Sequence, residues 1–437
     1  MKNTNLLFLI ILFVITPVLE HSCSENTSNA GFKVYTDNEL ADIYKDIDVT
    51  FDSLDVKVVQ PAEGYLKYPY LIPAGFYKQM WDWDGFFIAN YFVTRGKPEY
   101  LKYWAMNLLE GVDEHGYVSG CATIKGPRQV FGTFAMKPFL SQGVYLNCKA
   151  TGDYSWVPKY YEKLKLVLSY REKTQQDSIS GLFYWEDAMQ SGGDNNPALN
   201  YFKQDPRKFL ACDASAYQYR EYLAQSLIAK HLGKKEDAKI FSDKAAKLKN
   251  AINTILWSKE DKMYYNKEIG ASKLYKRVSY SCFVPLFAGL ANQRNGRAMI
   301  KEHLLNPDEM KSKYGYRSLS AKDPDYNNKN IIIPFSNCQG PVWPLANFLY
   351  TVALKNYGFD SELRWIAGTL GSRLVRDVKE YGSMHEAYSA ETGESLSPDD
   401  TYVDENGRFI GFISWNLCFY DVLKGVVEDK WMDLDIK

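Results

Sequence analysis

Four short stretches of this 437-residue sequence bring acidic and aromatic residues together. They are QMWDWDGFF (79–87), SGGDNNP (191–197), GPVWPLANF (340–348) and SMHEAYSAETGESLSPDD (383–400). A carboxylate can bind two adjacent hydroxyl groups of a sugar, and an indole ring can stack on the apolar face of that sugar. The structural alternatives are a helix N-cap, a polar turn or a tryptophan that only packs in the core. The combination favours a carbohydrate site.

Asp194 and Glu386 are the candidate catalytic groups. They lie 192 residues apart (386 − 194), on separate predicted loops. Two carboxyl groups that face each other across a cleft suit glycoside hydrolysis, because one protonates the leaving oxygen while the other activates a water or attacks the anomeric carbon. Their spacing in the sequence does not show that they meet in the fold. The chain holds 53 acidic residues, so many other pairs could be chosen.

The composition argues against several other kinds of function. The net charge is −1 and no long Lys/Arg-rich block is present, so nucleic acid is not an expected partner. The five histidines lack the spacing of a zinc site. The chain carries 33 Tyr, 23 Phe and 10 Trp, which pack in cores and also stack on sugars. The six cysteines after Cys23 are scattered, which indicates buried thiols more than a disulfide framework.

The N-terminus has the pattern of an export signal. Lys2 precedes an apolar run at 6–19, which is shorter than the roughly 20 residues that span a membrane. A small residue and Cys23 follow, which resembles a bacterial lipoprotein cleavage site, although Glu20 is unusual there. We therefore expect a signal peptide at 1–23 and a periplasmic or membrane-anchored protein, with a lipid on Cys23 as its only contact with the membrane. Plain secretion is the alternative.

Helical periodicity dominates from about residue 71 onward. Amphipathic helices are predicted at 156–173, 212–233, 234–257 and 360–378, and helices that are apolar on nearly all faces at 340–354 and 409–427. Buried helices that alternate with amphipathic ones predict two nested layers, an all-α helical toroid over 71–437. A superhelical repeat and a bundle are the alternatives. Residues 24–70 are predicted to form a tether and a short irregular or β-containing lead.

The order of the four stretches resembles that in glycoside hydrolase family 63 and its mannosylglycerate-hydrolase-like relatives, and more distantly that in the trehalases. The segment at 213–267 and the run VPLFAGLANQRNGRAMIKEHLLNP are also similar to helices of that family. The resemblance covers roughly residues 71–428. It implies an (α/α)6 barrel and an inverting mechanism on α-glycosides.

The resemblance also implies roles for particular residues. Asp194 matches the general acid of the family and Glu386 its general base. Trp83 and Asp84 match a motif that holds the sugar at the cleavage point, while Trp343 and Trp415 match aromatic wall positions. The predicted substrate-binding residues are Trp81, Asp82, Trp83, Asp84, Phe87, Gln142, Trp185, Asn195, Trp343, Tyr388 and Trp415.

Two departures from the family pattern lie beside the predicted acid. Gln190 stands where many members carry Glu, and Ala198 where Arg often follows the proline. Both put the leaving-group subsite in doubt more than the hydrolysis itself.

The chemistry also sets conditions on the environments of both carboxyl groups. Asp194 must be protonated near neutral pH, so its pKa must be raised by an apolar wall or a nearby carboxylate. Trp185 and Tyr184 are the predicted wall. Glu386 must stay ionised, and Tyr388 is its predicted hydrogen-bond donor.

Other functions and ligands remain open from the sequence. A carbohydrate-binding lipoprotein on the same scaffold needs the Trp and Asp side chains that bind the sugar, but it does not need both catalytic carboxyl groups. A polysaccharide lyase needs a Tyr or His base and cations for a uronate, which this acid-rich pattern disfavours. The run at 397–407 offers oxygen ligands for a structural Ca²⁺ or is a solvated loop, and no other cofactor is predicted. The motifs do not distinguish a glucoside from a mannoside. A substrate that carries a carboxylate needs a cation near the site, and Lys78, Arg128 and Lys137 lie near the predicted loops.

Overall fold

The computed structural model describes residues 32–75, 77–128, 135–187, 189–199, 205–330, 337–396 and 402–436. Val34–Lys437 forms one compact unit. The predicted signal peptide at 1–23 lies outside the described residues. Within the described ranges, no helix combines the length and apolar character that crossing a membrane requires.

Twelve α-helices occur in the described part of the chain. They are α1 (Asp37–Val58), α2 (Asp82–Thr94), α3 (Glu99–Glu110), α4 (Leu140–Thr151), α5 (Tyr161–Gln175), α6 (Cys212–His231), α7 (Lys235–Ala251), α8 (Val284–Phe287), α9 (Gln293–Met299), α10 (Pro344–Tyr357), α11 (Asp360–Tyr381) and α12 (Cys418–Glu428). The even-numbered helices contact one another in chain order, and α12 contacts α2, so they close into an inner ring. The odd-numbered helices lie outside it, for example α7 on α6 and α11 on both α10 and α12. The predicted (α/α)6 barrel is confirmed.

The difference between the two layers follows from the sequence pattern. The stretch from Asp82 to Phe92 is buried on every face of α2, because this inner helix has neighbours on all sides. Outer helix α7 buries only Phe241, Ala245 and Leu248, which recur at the three-to-four-residue spacing of one helix face.

Short antiparallel strands edge the barrel. They are β1 (Val59–Gln60), β2 (Tyr70–Leu71), β3 (Met80–Trp81), β4 (Cys121–Thr123), β5 (Gly126–Pro127), β6 (Phe209–Leu210), β7 (Trp257–Ser258), β8 (Met263–Tyr264), β9 (Lys267–Glu268), β10 (Lys311–Ser312) and β11 (Gly315–Tyr316). The pairs are β1–β2, β3–β4–β5, β6–β9, β7–β8 and β10–β11. Pairing of Trp81 with Cys121 holds the start of α2 against the loop that follows α3.

The expectation of an irregular N-terminal lead was wrong for residues 37–58, which form helix α1. Thr36 and Glu39 make a capping box at its start. Leu40, Ile47 and Phe51 begin an apolar stripe that packs on α11 and α12. The short strand β1 after it, which pairs with β2 at the end of the lead, matches the β-containing alternative.

The six cysteines in the described ranges are all buried free thiols, as the scattered spacing indicated: Cys121, Cys148, Cys212, Cys282, Cys338 and Cys418. Burial in apolar surroundings keeps thiols protonated and unreactive.

Candidate active site

Three tryptophans meet where the inner helices begin. Trp83 lies in the first turn of α2, Trp343 is the N-cap of α10, and Trp415 precedes α12. Their ring centroids are 5.4–6.0 Å apart, with each pair edge to face. Tyr280, which precedes α8, contacts the Trp343 ring at 5.2 Å. The start points of four inner helices therefore converge on one aromatic cluster.

The indole N–H groups of Trp343 and Trp415 are buried and have no hydrogen-bond partner among the described residues. A buried N–H without a partner costs free energy that a water or a ligand hydroxyl can offset. Both groups are therefore unsatisfied donors at this end of the barrel.

Three carboxyl groups share this cluster. Asp194, Glu386 and Asp84 are 9%, 7% and 5% exposed. The charges of Asp194 and Asp84 both raise the pKa of Glu386, which is an effect of near neighbours. The structure thus brings together the two candidate catalytic residues, which the sequence places on separate loops.

Burial sets the electrostatics of the site. The pKa of Glu386 is raised to about 8, mainly by burial and also by the charges of Asp194 and Asp84, while a hydrogen bond from Tyr402 lowers it. Burial likewise raises the pKa of Asp84 to about 7, although Ser414 donates a hydrogen bond to Asp84 Oδ1 at 2.7 Å. Not all three groups are ionised at neutral pH, and the raised pKa of Glu386 is opposite to the expectation that this carboxyl group stays ionised there.

Tyr402, rather than Tyr388, donates a hydrogen bond to Glu386. The prediction for Tyr388 was wrong because its single hydroxyl proton is donated to Asp377 Oδ2 at 2.7 Å. Tyr77 hydrogen-bonds the Tyr402 hydroxyl, so two tyrosines line up behind the Glu386 carboxyl. Neither tyrosine was predicted from the sequence, although Tyr77 lies only two residues before the first acidic and aromatic stretch.

Gly192 and Gly193 are glycines because aromatic rings pack directly on their backbone. A Cβ on Gly192 would lie 2.0 Å from Trp83 Cζ2, and one on Gly193 would lie 2.5 Å from the Tyr280 hydroxyl. The rings against the Asp194 loop are therefore Trp83 and Tyr280. The predicted wall is placed elsewhere, since Trp185 donates to Asp213 and Tyr184 donates to the Thr174 carbonyl.

Gly192→Ala is expected to destabilise the protein more than Gly181→Ala does. Both glycines have positive φ, +77° and +73°, so both substitutions carry a backbone strain of about 1–2 kcal/mol. The nearest atom to a Cβ on Gly181 is 3.9 Å away, so only Gly192→Ala also displaces a ring. We expect an extra loss of about 1–3 kcal/mol in the free energy of unfolding. Equal losses in a denaturant titration of the two variants would contradict this packing.

Asp82 has a structural role. Its carboxylate accepts hydrogen bonds from the backbone N–H of Trp83 at 2.7 Å and of Lys137 at 2.6 Å. The Lys137 ammonium pairs with it at 3.2 Å and lies 4.5 Å from the centre of the Trp83 ring. Asp82 is fully buried, and its hydrogen bonds hold Trp83 in position. Asp84 is therefore the acid of the W-D-W-D run that reaches the site.

A family model described as the mannosylglycerate hydrolase MGH1-like glycoside hydrolase domain matches residues 77–407, about three quarters of the chain. The chain belongs to this family. It is therefore a glycoside hydrolase, and the resemblance read from the motifs is confirmed.

Solved structures with the same fold include two groups. The GH63 mannosylglycerate hydrolase from Thermus thermophilus, in complex with glucose, is 17% identical with a TM-score of 0.62 and covers 87% of this chain and 99% of its own. Its complex with Tris and D-glycerate is 16% identical with a TM-score of 0.64, covering 89% and 100%. The neutral trehalase of Saccharomyces cerevisiae is 15% identical with a TM-score of 0.59, covering 82% and 74%.

Several other predicted binding residues of this MGH1-like hydrolase are buried and already bonded. Phe87 is 0% exposed and packs on Phe139 and Phe348. Gln142 is also 0% exposed, and its amide spans the Pro138 carbonyl at 2.6 Å and the Arg220 guanidinium at 2.7 Å. Direct contact with a sugar requires exposed surface, which neither residue has.

The remaining predicted residues support the site from behind. Asn195 accepts from the Cys338 N–H at 2.7 Å and donates to Asn337 at 3.3 Å, which joins the Asp194 loop to the segment before α10. Trp81 contacts Tyr77 edge to face at 6.0 Å. Trp185 and Tyr388 are tied to Asp213 and Asp377 respectively.

No group of three or more His, Cys, Asp or Glu side chains in the described ranges could hold a metal ion. Part of the run at 397–407, for which a Ca²⁺ site was considered, lies outside the described residues. Within it, the Asp404 side chain accepts from the backbone of Asn406 and Arg408 at 2.9 Å and so closes a turn.

Proposed function

We propose that this hydrolase cleaves the α-glycosidic bond of an α-glucoside or α-mannoside with inversion, using Asp194 as general acid and Glu386 as general base. The observation that carries the proposal is the electrostatic coupling of these two groups and Asp84 around the Trp83–Trp343–Trp415 cluster. An aromatic floor binds the sugar face, and two carboxyl groups of different environment supply the acid and the base.

The reaction needs one proton on Asp194 and none on Glu386. Asp194 gives its proton to the leaving oxygen as the glycosidic bond breaks, while Glu386 takes a proton from the water that attacks the anomeric carbon. The coupling favours a single proton in the pair, because protonation of Asp194 removes a negative charge that raises the pKa of Glu386, and the form with Glu386 ionised gains population as the pH rises towards 8. After each turnover, Glu386 releases one proton to solvent and Asp194 takes up one proton from solvent.

Proton NMR of the reaction mixture tests the proposal. We expect the β-anomer to appear first from α-glucosides or α-mannosides, and the panel member that is cleaved identifies the sugar. Retention of configuration would overturn the base role of Glu386, since a retaining pair forms a covalent intermediate. Sugar binding without cleavage across a broad panel would favour a binding role for this barrel.

The pH profile of kcat/KM is expected to show an acidic limb near pH 8. Glu386 acts in its ionised form and its pKa is raised to about 8, so activity falls as the pH is lowered through that value. Tyr402→Phe removes the hydrogen bond that lowers this pKa, so the limb should move upward by about one unit or more.

Tyr184→Phe is the matched control, because that hydroxyl donates to the Thr174 carbonyl outside the carboxyl cluster. It should leave the profile in place. If the acidic limb of the pH profile does not move in Tyr402→Phe, another group controls the pH dependence.

We also propose export through the segment at 1–23, with a lipid on Cys23. The apolar run at 6–19 and the following cysteine support it. Cys23→Ser should move the protein from the membrane fraction to the soluble exported fraction. Recovery of both forms inside the cell would contradict export.

A further inference from the structure

A second concave surface lies on the outer layer of the barrel. It encloses about 730 Å³, within the range of about 300–1,000 Å³ typical of small-ligand sites. We call it the basic groove. Its lining residues lie at the end of α7 and just beyond it, along the β7–β8 hairpin and at the start of α9: Lys249, Asn253, Trp257, Lys259, Lys262, Leu290, Ala291, Asn292, Arg294, Asn295 and Ala298. None of them belongs to the candidate active site.

The groove concentrates positive charge in a chain whose net charge is −1. Among the described residues, its lining includes four cations and no Asp or Glu. Lys262 is paired with Glu302, whereas Lys249, Lys259 and Arg294 make no ion pair with any described residue. Unpaired cations around a concave surface create a field that attracts an anionic ligand.

The groove also has an aromatic face and polar groups suited to hydroxyls. Trp257 is half-buried, and its inner side packs on Tyr264 with the centroids 4.8 Å apart. Asn253 is held in place by bonds to the Lys249 and Leu290 carbonyls. The Asn295 side chain makes no hydrogen bond to the described parts of the chain, so its amide is available to a ligand.

We propose that the basic groove binds a segment of an acidic polysaccharide. The ring of Trp257 stacks on a sugar face, Asn295 bonds sugar hydroxyls, and Lys249, Lys259 and Arg294 pair with the carboxylates or sulfates of the chain. The groove would hold the enzyme on an anionic glycan while the active site acts independently. The inference does not depend on the roles of Asp194 and Glu386.

Affinity electrophoresis through gels that contain polygalacturonate, dextran sulfate or neutral dextran tests the proposal with the purified protein. We expect retardation by one or both of the acidic polymers and none by dextran, and the acidic polymer that retards more identifies carboxylate or sulfate as the preferred group. The combined variant Lys249→Glu/Lys259→Glu/Arg294→Glu should bind at least about tenfold more weakly at low salt. Trp257→Ala should bind about fivefold more weakly.

Lys247→Glu is the matched control, because Lys247 lies on the same helix α7 but does not line the groove. It should keep most of the affinity, and every variant should keep its activity on a small α-glycoside, which shows that it is folded. The proposal is overturned by equal retardation in neutral dextran, by unchanged binding of the charge-reversed variant, or by the absence of binding to both acidic polymers. Tighter binding to duplex DNA than to either polymer would also overturn it.

Discussion

Glu386→Gln is expected to lower kcat by about 10²–10⁴-fold on every α-glycoside that the protein hydrolyses, including α-glycosyl fluorides. The amide cannot take a proton from the attacking water, and the quality of the leaving group does not change that step. Gln is close to Glu in shape and can still accept the hydrogen bond from Tyr402, so the fold and sugar binding should persist.

Asp194→Asn should behave differently with the same two kinds of substrate. The lost step is protonation of the leaving oxygen, so a substrate with a poor leaving group should lose about 10²–10⁴-fold in kcat. A fluoride leaves without much help from an acid, so its hydrolysis should be largely retained. This contrast between the two variants assigns the acid and the base separately, and NMR or fluoride release measures it.

Glu394→Gln is the control, because Glu394 lies on the same loop as Glu386 but its carboxylate bonds only Thr392 among the described residues. It should leave kcat unchanged on both substrates. If Asp194→Asn loses fluoride hydrolysis as severely as Glu386→Gln does, Asp194 is not the general acid. If Glu386→Gln retains activity, the proposed mechanism fails as a whole.

Lys137→Met is expected to lower the free energy of unfolding by about 3–5 kcal/mol. Lys137 and Asp82 are 4% and 0% exposed, so removal of the ammonium leaves the Asp82 carboxylate buried without its counter-ion. The same change removes the cation from the Trp83 ring, and with it the positive charge that lowers the pKa of Asp84. Activity should therefore fall together with stability.

The double variant Asp82→Asn/Lys137→Met should recover much of the lost stability, because it leaves no uncompensated charge in the interior. Lys159→Met is a surface control, since Lys159 pairs with Glu110 at 3.0 Å on the surface, where such a pair contributes little to stability. Denaturant titration gives all three values. A double variant as unstable as Lys137→Met would show that shape, not charge, governs this position.

The sequence by itself predicted the architecture well where the pattern was local. The spacing of Phe241, Ala245 and Leu248 is the same in the one-dimensional chain and on the face of α7, so periodicity predicts the outer helix directly. The all-round apolar runs of α10 and α12 likewise predicted an inner layer. Helix α1 carries an equally local apolar stripe and a capping box, and both went unused in the prediction.

The choice of Asp194 and Glu386 as the candidate carboxyl pair also came from the sequence, but their surroundings did not. Asp194 and Glu386 stand in motifs whose glycines and aromatics are visible in one dimension. Their partners are not, since Tyr402 rather than Tyr388 reaches Glu386, and Trp83 and Tyr280 rather than Trp185 pack on the glycines before Asp194. A residue next to a carboxyl group in the chain can point away from it, because backbone direction decides which side chains meet.

Only the tertiary structure decided which acid of the W-D-W-D run reaches the site. Asp82 turns inward to Lys137, 55 residues away, and Asp84 meets Ser414, 330 residues away. In one helical turn, positions two apart face different sides, so the two acids must have different partners. Closure of the inner ring then brings α12 beside α2, and that contact between the ends of the chain determines the environment of Asp84.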